Sequence, residues 1–304
     1  MSRFRFLVFA TVAFCCGQVS AAEKIKVLIV TGQNNHNWVR STPVIKGLLE
    51  ETGRFDVSVT TTPSIGAPKD AWQDWRPQFG KFDVVLSDYN GKEWPEAIKA
   101  KFVSYVQEGG RVVEIHAANN SFTGWLEYEA MTGLLWRASS YGDRIYLDKN
   151  LKQVRVRKGE GPSGGHGKGH EYQITTIDRE NPIFKDLPPV WMHVSDELYH
   201  GQRGPANDMH ILAAAFSSKE SNGTGEYEPM VWWIPFGKGK VLTLVPGHLG
   251  QNPSHPTPYD CIGFRTVLQR SVEWMGSGRV TITVPANFPA ADKISVVPPS
   301  PVKK

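Results

Sequence analysis

The chain has 304 residues, of which 40% are hydrophobic, and its formal net charge is only +4. This length is enough to bury a sizeable core in one domain. Because lysine and arginine form no stripe or block, the composition argues against nucleic acid as a partner.

The first 22 residues have the pattern of a signal peptide. A basic start at Arg3 and Arg5 precedes an apolar run over residues 6–16, which is too short to cross a bilayer. Small residues at 19–21 then fit a cleavage site. We expect removal of residues 1–22 and export to the periplasm or beyond, with no membrane span elsewhere. Cleavage would leave Cys261 as the single cysteine, so the mature chain would have no internal disulfide.

Strands and helices alternate over the first third of the remaining chain. Strands are predicted at 25–31, 57–61, 82–87 and from Val112, with a helix opening at Ser41-Thr42-Pro43 and another ending at Gly109-Gly110. This alternation predicts an α/β fold in which a mostly parallel sheet is flanked by helices.

The rest of the chain is less regular. A short helix with loops is predicted at 121–137, strands at 153–157, 172–176 and 209–216, a hairpin at 230–236 and 240–245, a helix at 264–275 and an edge strand at 280–284. Residues 161–170 form a glycine-rich, flexible loop without P-loop spacing, so we expect no nucleotide cofactor. One domain over residues 23–285 is predicted, followed by an extended Pro- and Lys-rich tail at 286–304.

Three histidines follow strand-like runs. His36, His116 and His248 come after the first strand, the fourth strand and the hairpin. Because ligands gather at the carboxyl ends of strands in open α/β sheets, these imidazoles are candidate ligands of one divalent metal, zinc or another first-row ion. Asp196 or Glu197 would add a carboxylate, although neighbours on a strand cannot both face one site. Histidine also suits proton transfer near neutral pH, so His116 is a candidate base.

Most of the remaining histidines, two tryptophans and the cysteine are expected to have structural rather than catalytic roles. The histidines expected at the surface or in supporting positions are His166, His193, His200, His210 and His255. Trp125 and Trp136 are expected to pack in the core rather than to stack on sugars. Cys261 lies in a helical pattern, so we expect no catalytic role for it.

Several motifs in order resemble the ThuA-like, or trehalose-utilisation, family. They are residues 26–31 with His36, residues 109–118 with the His-Ala-Ala end of a strand, His170 with residues 172–177, Asp196-Glu197-Leu198-Tyr199, and Gly247-His248 with Phe264 and the last helix. The similarity runs from about Lys26 to Met275, nearly the whole mature chain.

The resemblance implies a class I glutamine amidotransferase-like fold, a flavodoxin-like three-layer sandwich. Amidotransferases carry a catalytic cysteine at a sharp strand-to-helix turn, where this chain has His116, so glutamine hydrolysis is not expected. The family association implies an enzyme that isomerises or cleaves trehalose-type glycosides or their 3-keto derivatives with help from a metal. The alternative is a non-catalytic carbohydrate-binding or accessory protein. The implied catalytic residues are His116, Asp196 and Glu197, and the implied substrate-binding residues are His170, Tyr199 and Asn119.

Overall fold

The computed structural model describes residues 23–298. The predicted signal peptide at residues 1–22 and the last six residues of the predicted tail lie outside this range. None of the helices within residues 23–298 is long and apolar enough to cross a membrane.

Eleven strands and five α-helices make up the described chain. The strands are β1 (Ile25–Thr31), β2 (Phe55–Thr61), β3 (Val84–Ser87), β4 (Arg111–Ile115), β5 (Arg144–Leu147), β6 (Gln153–Val156), β7 (His170–Thr176), β8 (Val190–Asp196), β9 (His210–Phe216), β10 (Tyr227–Phe236) and β11 (Gly239–Leu244). The helices are α1 (Trp38–Glu50), α2 (Lys69–Asp74), α3 (Glu96–Gln107), α4 (Leu126–Thr132) and α5 (Ile262–Ser277).

The strands form one mixed sheet. Its order is β2-β1-β3-β4-β11-β10-β9-β7-β8, and β5 pairs with β10 and β6. Four pairings are parallel and six are antiparallel. The α/β class is confirmed, but the expectation of a mostly parallel sheet is wrong. Strand–helix alternation stops after β4, and the later strands are joined mainly without crossover helices, which leaves them antiparallel.

Helices cover both faces of the parallel half of the sheet. Along β1, Val27 and Ile29 belong to a core cluster that includes residues of α1 and α5. The alternate residues, Leu28 and Val30, belong to a second cluster that includes residues of α3 and Trp125. Side chains of one strand thus reach opposite faces in turn, and both faces are buried. Polar groups at the strand ends therefore stand at the rim of a rigid scaffold.

Several predicted element boundaries differ from those in the structure. The helix predicted to open at Ser41 begins at Trp38, and strands β5 and β8 were not predicted. Residues 280–284 do not form the predicted edge strand. Their backbone is bound instead by side chains of α5. Glu273 accepts the N–H groups of Thr281 and Ile282, and Arg270 donates to the carbonyl of Ile282.

The described part of the predicted tail, residues 286–298, lies against the domain. Met192 of β8 donates its backbone N–H to Ala290, and Ile262 at the start of α5 donates to Ser295. The side chains of Phe288, Ile294 and Val296 pack on the core. These contacts hold this stretch along β8 and α5.

Candidate functional site

The three histidines that follow strands meet at one edge of the sheet. His36 lies in the loop after β1, His116 directly follows β4, and His248 follows β11. The ring centroids are 4.7 Å apart for His36 and His116, 4.9 Å for His36 and His248, and 5.6 Å for His116 and His248. Glu197, the first residue after β8, completes the group. The sheet therefore brings three distant segments and a carboxylate into one cluster.

His116 occupies a strained turn at the end of β4. Its φ of 49° lies in the left-handed region, which non-glycine residues seldom adopt and which often marks functional sites. Its Nδ1 lies 2.7 Å from the carbonyl oxygen of Val245, an acceptor, so this nitrogen carries the proton. The Nε2 atom then holds the lone pair and accepts a hydrogen bond from the Tyr199 hydroxyl at 2.9 Å.

Glu197 stands at the centre of four imidazoles. Its Oε2 lies 3.4 Å from Nε2 of His116 and 3.9 Å from Nε2 of His36. Its Oε1 lies 3.5 Å from Nε2 of both His166 and His248. Burial opposes ionisation of this carboxyl, but the hydrogen bond that protonated His116 would donate, and the charges that His116, His248 and His166 carry when protonated, outweigh it and lower its pKa to about 2. Glu197 is therefore an anion at neutral pH.

Asp196 fixes the backbone around the cluster. Its carboxylate accepts hydrogen bonds from the backbone N–H groups of Gly247, His248 and Glu197, at 2.9, 3.2 and 2.8 Å. The fully buried His193 ring approaches the same carboxylate at 2.9 Å. Asp196 thus joins the end of β8 to the loop after β11, and only Glu197 of the two adjacent carboxylates faces the imidazoles.

Three side chains suit a divalent metal ion. Among residues 23–298, the donor atoms of His36, Glu197 and His248 lie within 4.8 Å of one another. Burial, and then the neighbouring His116 and His248, lower the pKa of His36 to about 3, and burial also lowers the pKa of His248. Both rings are neutral near pH 7 and keep their lone pairs. Nδ1 of His36 lies 3.3 Å from Oδ1 of Asn34, which can orient the ring. Imidazole and carboxylate donors fit zinc or another first-row ion.

The structure separates some residues that the sequence grouped with the site. Asn119 is fully buried and donates to the carbonyl of Leu134 and the side chain of Gln202. His170 starts β7, with its ring turned to the carbonyl of Lys168. Neither side chain contacts the cluster, whereas Tyr199 contacts His116 directly.

From the sequence, His166 was expected at the surface or in a supporting position, but it belongs to the cluster. His166 lies in the glycine-rich loop, and only its approach to Glu197 reveals a place in the site. The half-buried Trp136 packs 5.5 Å from the His166 ring and 4.7 Å from the Tyr199 ring. No sequence spacing signals these contacts, because the loop reaches the site only through tertiary packing. Trp125 is buried in the core as predicted.

A cavity of about 330 Å³ opens beside the cluster. Its wall includes Glu197, His248 and His166, together with the polar side chains of Ser195, Asn252, Ser254 and Thr257. A volume near 300 Å³ is at the lower end of the range for small-molecule sites. His116 and Tyr199 are only 3% and 1% exposed. They lie next to Glu197, behind the surface of the cavity.

Comparisons with known proteins agree with this architecture. The chain is similar to a crystal structure of a ThuA-like protein from Parabacteroides merdae, with 38% identity, a TM-score of 0.85, and coverage of 90% of this chain and 98% of that one. A ThuA-like protein from Bacteroides uniformis, 17% identical with a TM-score of 0.55, covers 87% and 98% and supports the fold alone. No curated protein matches the chain. The model of the family described as ThuA, trehalose utilisation, matches residues 26–275. The chain therefore belongs to the ThuA family.

Proposed function

We propose that the protein is a metal-dependent enzyme that isomerises or cleaves trehalose-type glycosides or their 3-keto derivatives. The observation that carries the proposal is the cluster of His36, Glu197 and His248, whose donor atoms lie close together beside a cavity of small-molecule size. Catalytic metal sites commonly use three protein ligands and keep a position open for substrate. The presence of such a set beside a cavity supports an enzyme over a protein that only binds sugars.

The cavity wall supports an uncharged, hydroxyl-rich substrate. The Asn252 amide and the Ser254 hydroxyl can exchange hydrogen bonds with sugar hydroxyls, and the Thr257 oxygen, whose proton is donated to Asp260, can accept one. Within the described residues, neither lysine nor arginine lines this cavity, so no cationic side chain is provided for a phosphate or carboxylate group. These features favour a neutral carbohydrate.

The chemistry would take place beside the carbonyl of a keto sugar. His36, Glu197 and His248 would hold the metal, which supplies Lewis-acid stabilisation of an oxygen when bound. A proton leaves the carbon next to the carbonyl, and its electron pair forms the carbon–carbon double bond of an enediolate. Return of a proton to the former carbonyl carbon, with transfer of the neighbouring hydroxyl proton to the former carbonyl oxygen, isomerises the sugar. Loss of the glycosidic oxygen, which takes up a proton, cleaves it.

His116 is the proposed proton acceptor. Its Nδ1 is held by Val245, so the lone pair lies at Nε2, where the Tyr199 hydroxyl donates. Because His116 and Tyr199 are both nearly fully buried, we propose that the proton reaches Nε2 of His116 by way of Glu197, which lines the cavity and lies 3.4 Å from that nitrogen.

Export is also proposed, on the pattern of residues 1–22. N-terminal sequencing of exported protein should begin near Ala22 or Glu23. Exported protein that retains Arg3 and Arg5 would contradict cleavage.

The function is tested by incubating the protein with trehalose and with 3-keto-trehalose, followed by mass spectrometry and NMR. We expect conversion of the keto sugar that stops with a chelator and returns with added zinc or manganese. His36→Ala and His248→Ala should lose bound metal and conversion together. The control is His210→Ala, since His210 is exposed and stacks on Trp233 away from the site. Sugar binding without conversion, with metal bound, would contradict an enzyme.

A further inference from the structure

We propose that His166 is a catalytic residue that donates an Nε2–H hydrogen bond to the carbonyl oxygen of the bound sugar. This inference rests on the proposed function and extends it. It concerns a residue that the sequence assigned to the surface and that the family motifs quoted above do not include.

His166 faces the cavity and has one polar partner. Its side chain is 35% exposed, it lines the cavity, and its Nε2 lies 3.5 Å from Oε1 of Glu197. Its Nδ1 is buried and makes no hydrogen bond within residues 23–298. A proton on Nδ1 would be buried without an acceptor, which is unfavourable. The tautomer with its proton on Nε2 is therefore favoured, and this N–H is directed at the carboxylate and the cavity.

His166 stands outside the set of metal ligands. Its donor atoms do not belong to the group within 4.8 Å that contains His36, Glu197 and His248. Two ligands on opposite sides of an ion, each about 2.1 Å away, are only about 4.2 Å apart. The ring is therefore too far from at least one member of the set to share its ion in this arrangement.

The other imidazoles of the cluster cannot take this role. His36 and His248 offer their nitrogens to the metal, and both nitrogens of His116 are already engaged by Val245 and Tyr199. Among the described residues of the cluster, His166 alone combines a place on the cavity wall with an N–H that is free to turn to a substrate oxygen.

Backbone contacts of the glycine-rich loop hold His166 beside Glu197 and the cavity. Gly165 exchanges two backbone hydrogen bonds with His200, and Lys168 donates its N–H to Ser221. Gly167 has a φ of +65°, and a Cβ there would lie 2.0 Å from the carbonyl oxygen of Ser221. The glycines thus permit close backbone contact on both sides of His166. The loop was predicted to be flexible from its glycine content, but these contacts tie it to its neighbours.

The proposed hydrogen bond has a direct chemical use. Negative charge collects on the carbonyl oxygen as the neighbouring carbon loses its proton. A pre-placed N–H strengthens its bond to that oxygen as the charge grows, and loss of one such donor typically costs about 10²–10³ in turnover. No covalent bond to His166 forms, and its proton stays on Nε2.

Two substitutions distinguish a hydrogen-bond donor from a proton carrier or a metal ligand. His166→Gln keeps an N–H near the position of Nε2 but cannot carry a proton, whereas His166→Ala removes the donor. We expect turnover of 3-keto-trehalose to fall at least about 100-fold in His166→Ala and by less than about tenfold in His166→Gln. The affinity for Co²⁺ added to metal-free protein, measured by calorimetry, should stay within about threefold of wild type in both. The matched control is His210→Ala, an exposed histidine whose ring stacks on Trp233 away from the site.

The outcomes separate this inference from the proposed function. Wild-type protein that neither binds Co²⁺ nor converts the keto sugar would overturn the function and this inference with it. An active wild type with an equally active His166→Ala would overturn only the role of His166. A large loss of Co²⁺ affinity in His166→Ala would make the residue a metal ligand, and equal loss of turnover in the Gln and Ala variants would reject a donor role.

Discussion

The Tyr199 hydroxyl lies 2.9 Å from Nε2 of His116, and the two rings pack with centroids 4.5 Å apart. Burial, and then the negative charges of Glu197 and Asp196, raise the pKa of Tyr199 well above its ordinary value. Tyr199 therefore remains a neutral donor at physiological pH. This pair joins the end of β4 to the segment after β8, and it defines the tautomer of His116 that the proposed chemistry requires.

Tyr199→Phe tests the hydrogen bond to His116. Removing the hydroxyl leaves Nε2 of His116 without its donor, so the ring loses a contact that holds it in place as the proposed base, and turnover of 3-keto-trehalose should fall at least about 100-fold. The metal ligands are untouched, so Co²⁺ affinity should stay within about tenfold of wild type. A phenylalanine variant with normal turnover would show that the Tyr199 hydroxyl does not support His116 in the reaction.

Asp196→Asn should loosen the site without removing a ligand. The amide keeps one oxygen but turns an NH₂ group towards backbone N–H donors, so at least one of the bonds to Gly247, His248 and Glu197 is lost. Hydrogen bonds to charged groups contribute about 1.5–3 kcal/mol each, and we expect a loss of unfolding free energy on this scale. Co²⁺ affinity should fall about 10–100-fold, which is the usual effect of removing a residue that positions a metal ligand.

The control for this change is Asp148→Asn. Asp148 also accepts backbone N–H groups, those of Asn150 and Lys152, but in an exposed turn after β5. Its substitution should leave Co²⁺ affinity unchanged. Equal metal affinity in the Asp196 and Asp148 variants would show that Asp196 does not support the site.

Glu114→Gln should stabilise the protein at high pH. Burial raises the pKa of Glu114 from 4.5 to about 6, against the opposing hydrogen bonds of Tyr128, Thr243 and Thr132. Because the folded-state pKa is above the unfolded one, the contribution of Glu114 to stability is full below about pH 4.5 and is lost as the pH rises through 6. A shift of this size corresponds to about 2 kcal/mol.

Urea unfolding at two pH values measures this effect. The glutamine variant should match wild type within about 1 kcal/mol at pH 4 and exceed it by about 2 kcal/mol at pH 8. A stability difference that does not change with pH would mean that Glu114 titrates normally.

Cys261→Ser should leave both turnover and Co²⁺ affinity within a few-fold of wild type. Cys261 is fully buried at the start of α5, away from the cavity wall, and pairs through its backbone with Val296. The substitution should cost about 1 kcal/mol of unfolding free energy, measured by urea denaturation, because a hydroxyl replaces a packed thiol. A folded serine variant that has lost turnover would refute this placement.

Local sequence patterns determined much of the scaffold. The run at 25–31 forms β1 with the predicted bounds, and the paired glycines at 109 and 110 follow the end of α3 directly before β4. These features depend on neighbouring residues, because a buried strand needs a run of apolar side chains and a helix end needs a residue that tolerates a left-handed backbone. Such rules also placed His36, His116 and His248 after strands, which the structure confirms.

Only the tertiary structure decided which side chains meet. Glu197 rather than Asp196 faces the imidazoles because β8 ends at Asp196 and its carboxylate turns to the backbone of Gly247 and His248. His166 reaches Glu197 because its loop is tied to His200 and Ser221, which are distant in sequence. The sheet is mixed because of pairings between strands that share no local signal. The sequence by itself determined most of the elements and the family, since both depend on short runs in order. Pairing, burial and the final donor set arise from long-range contacts, which only the folded chain provides.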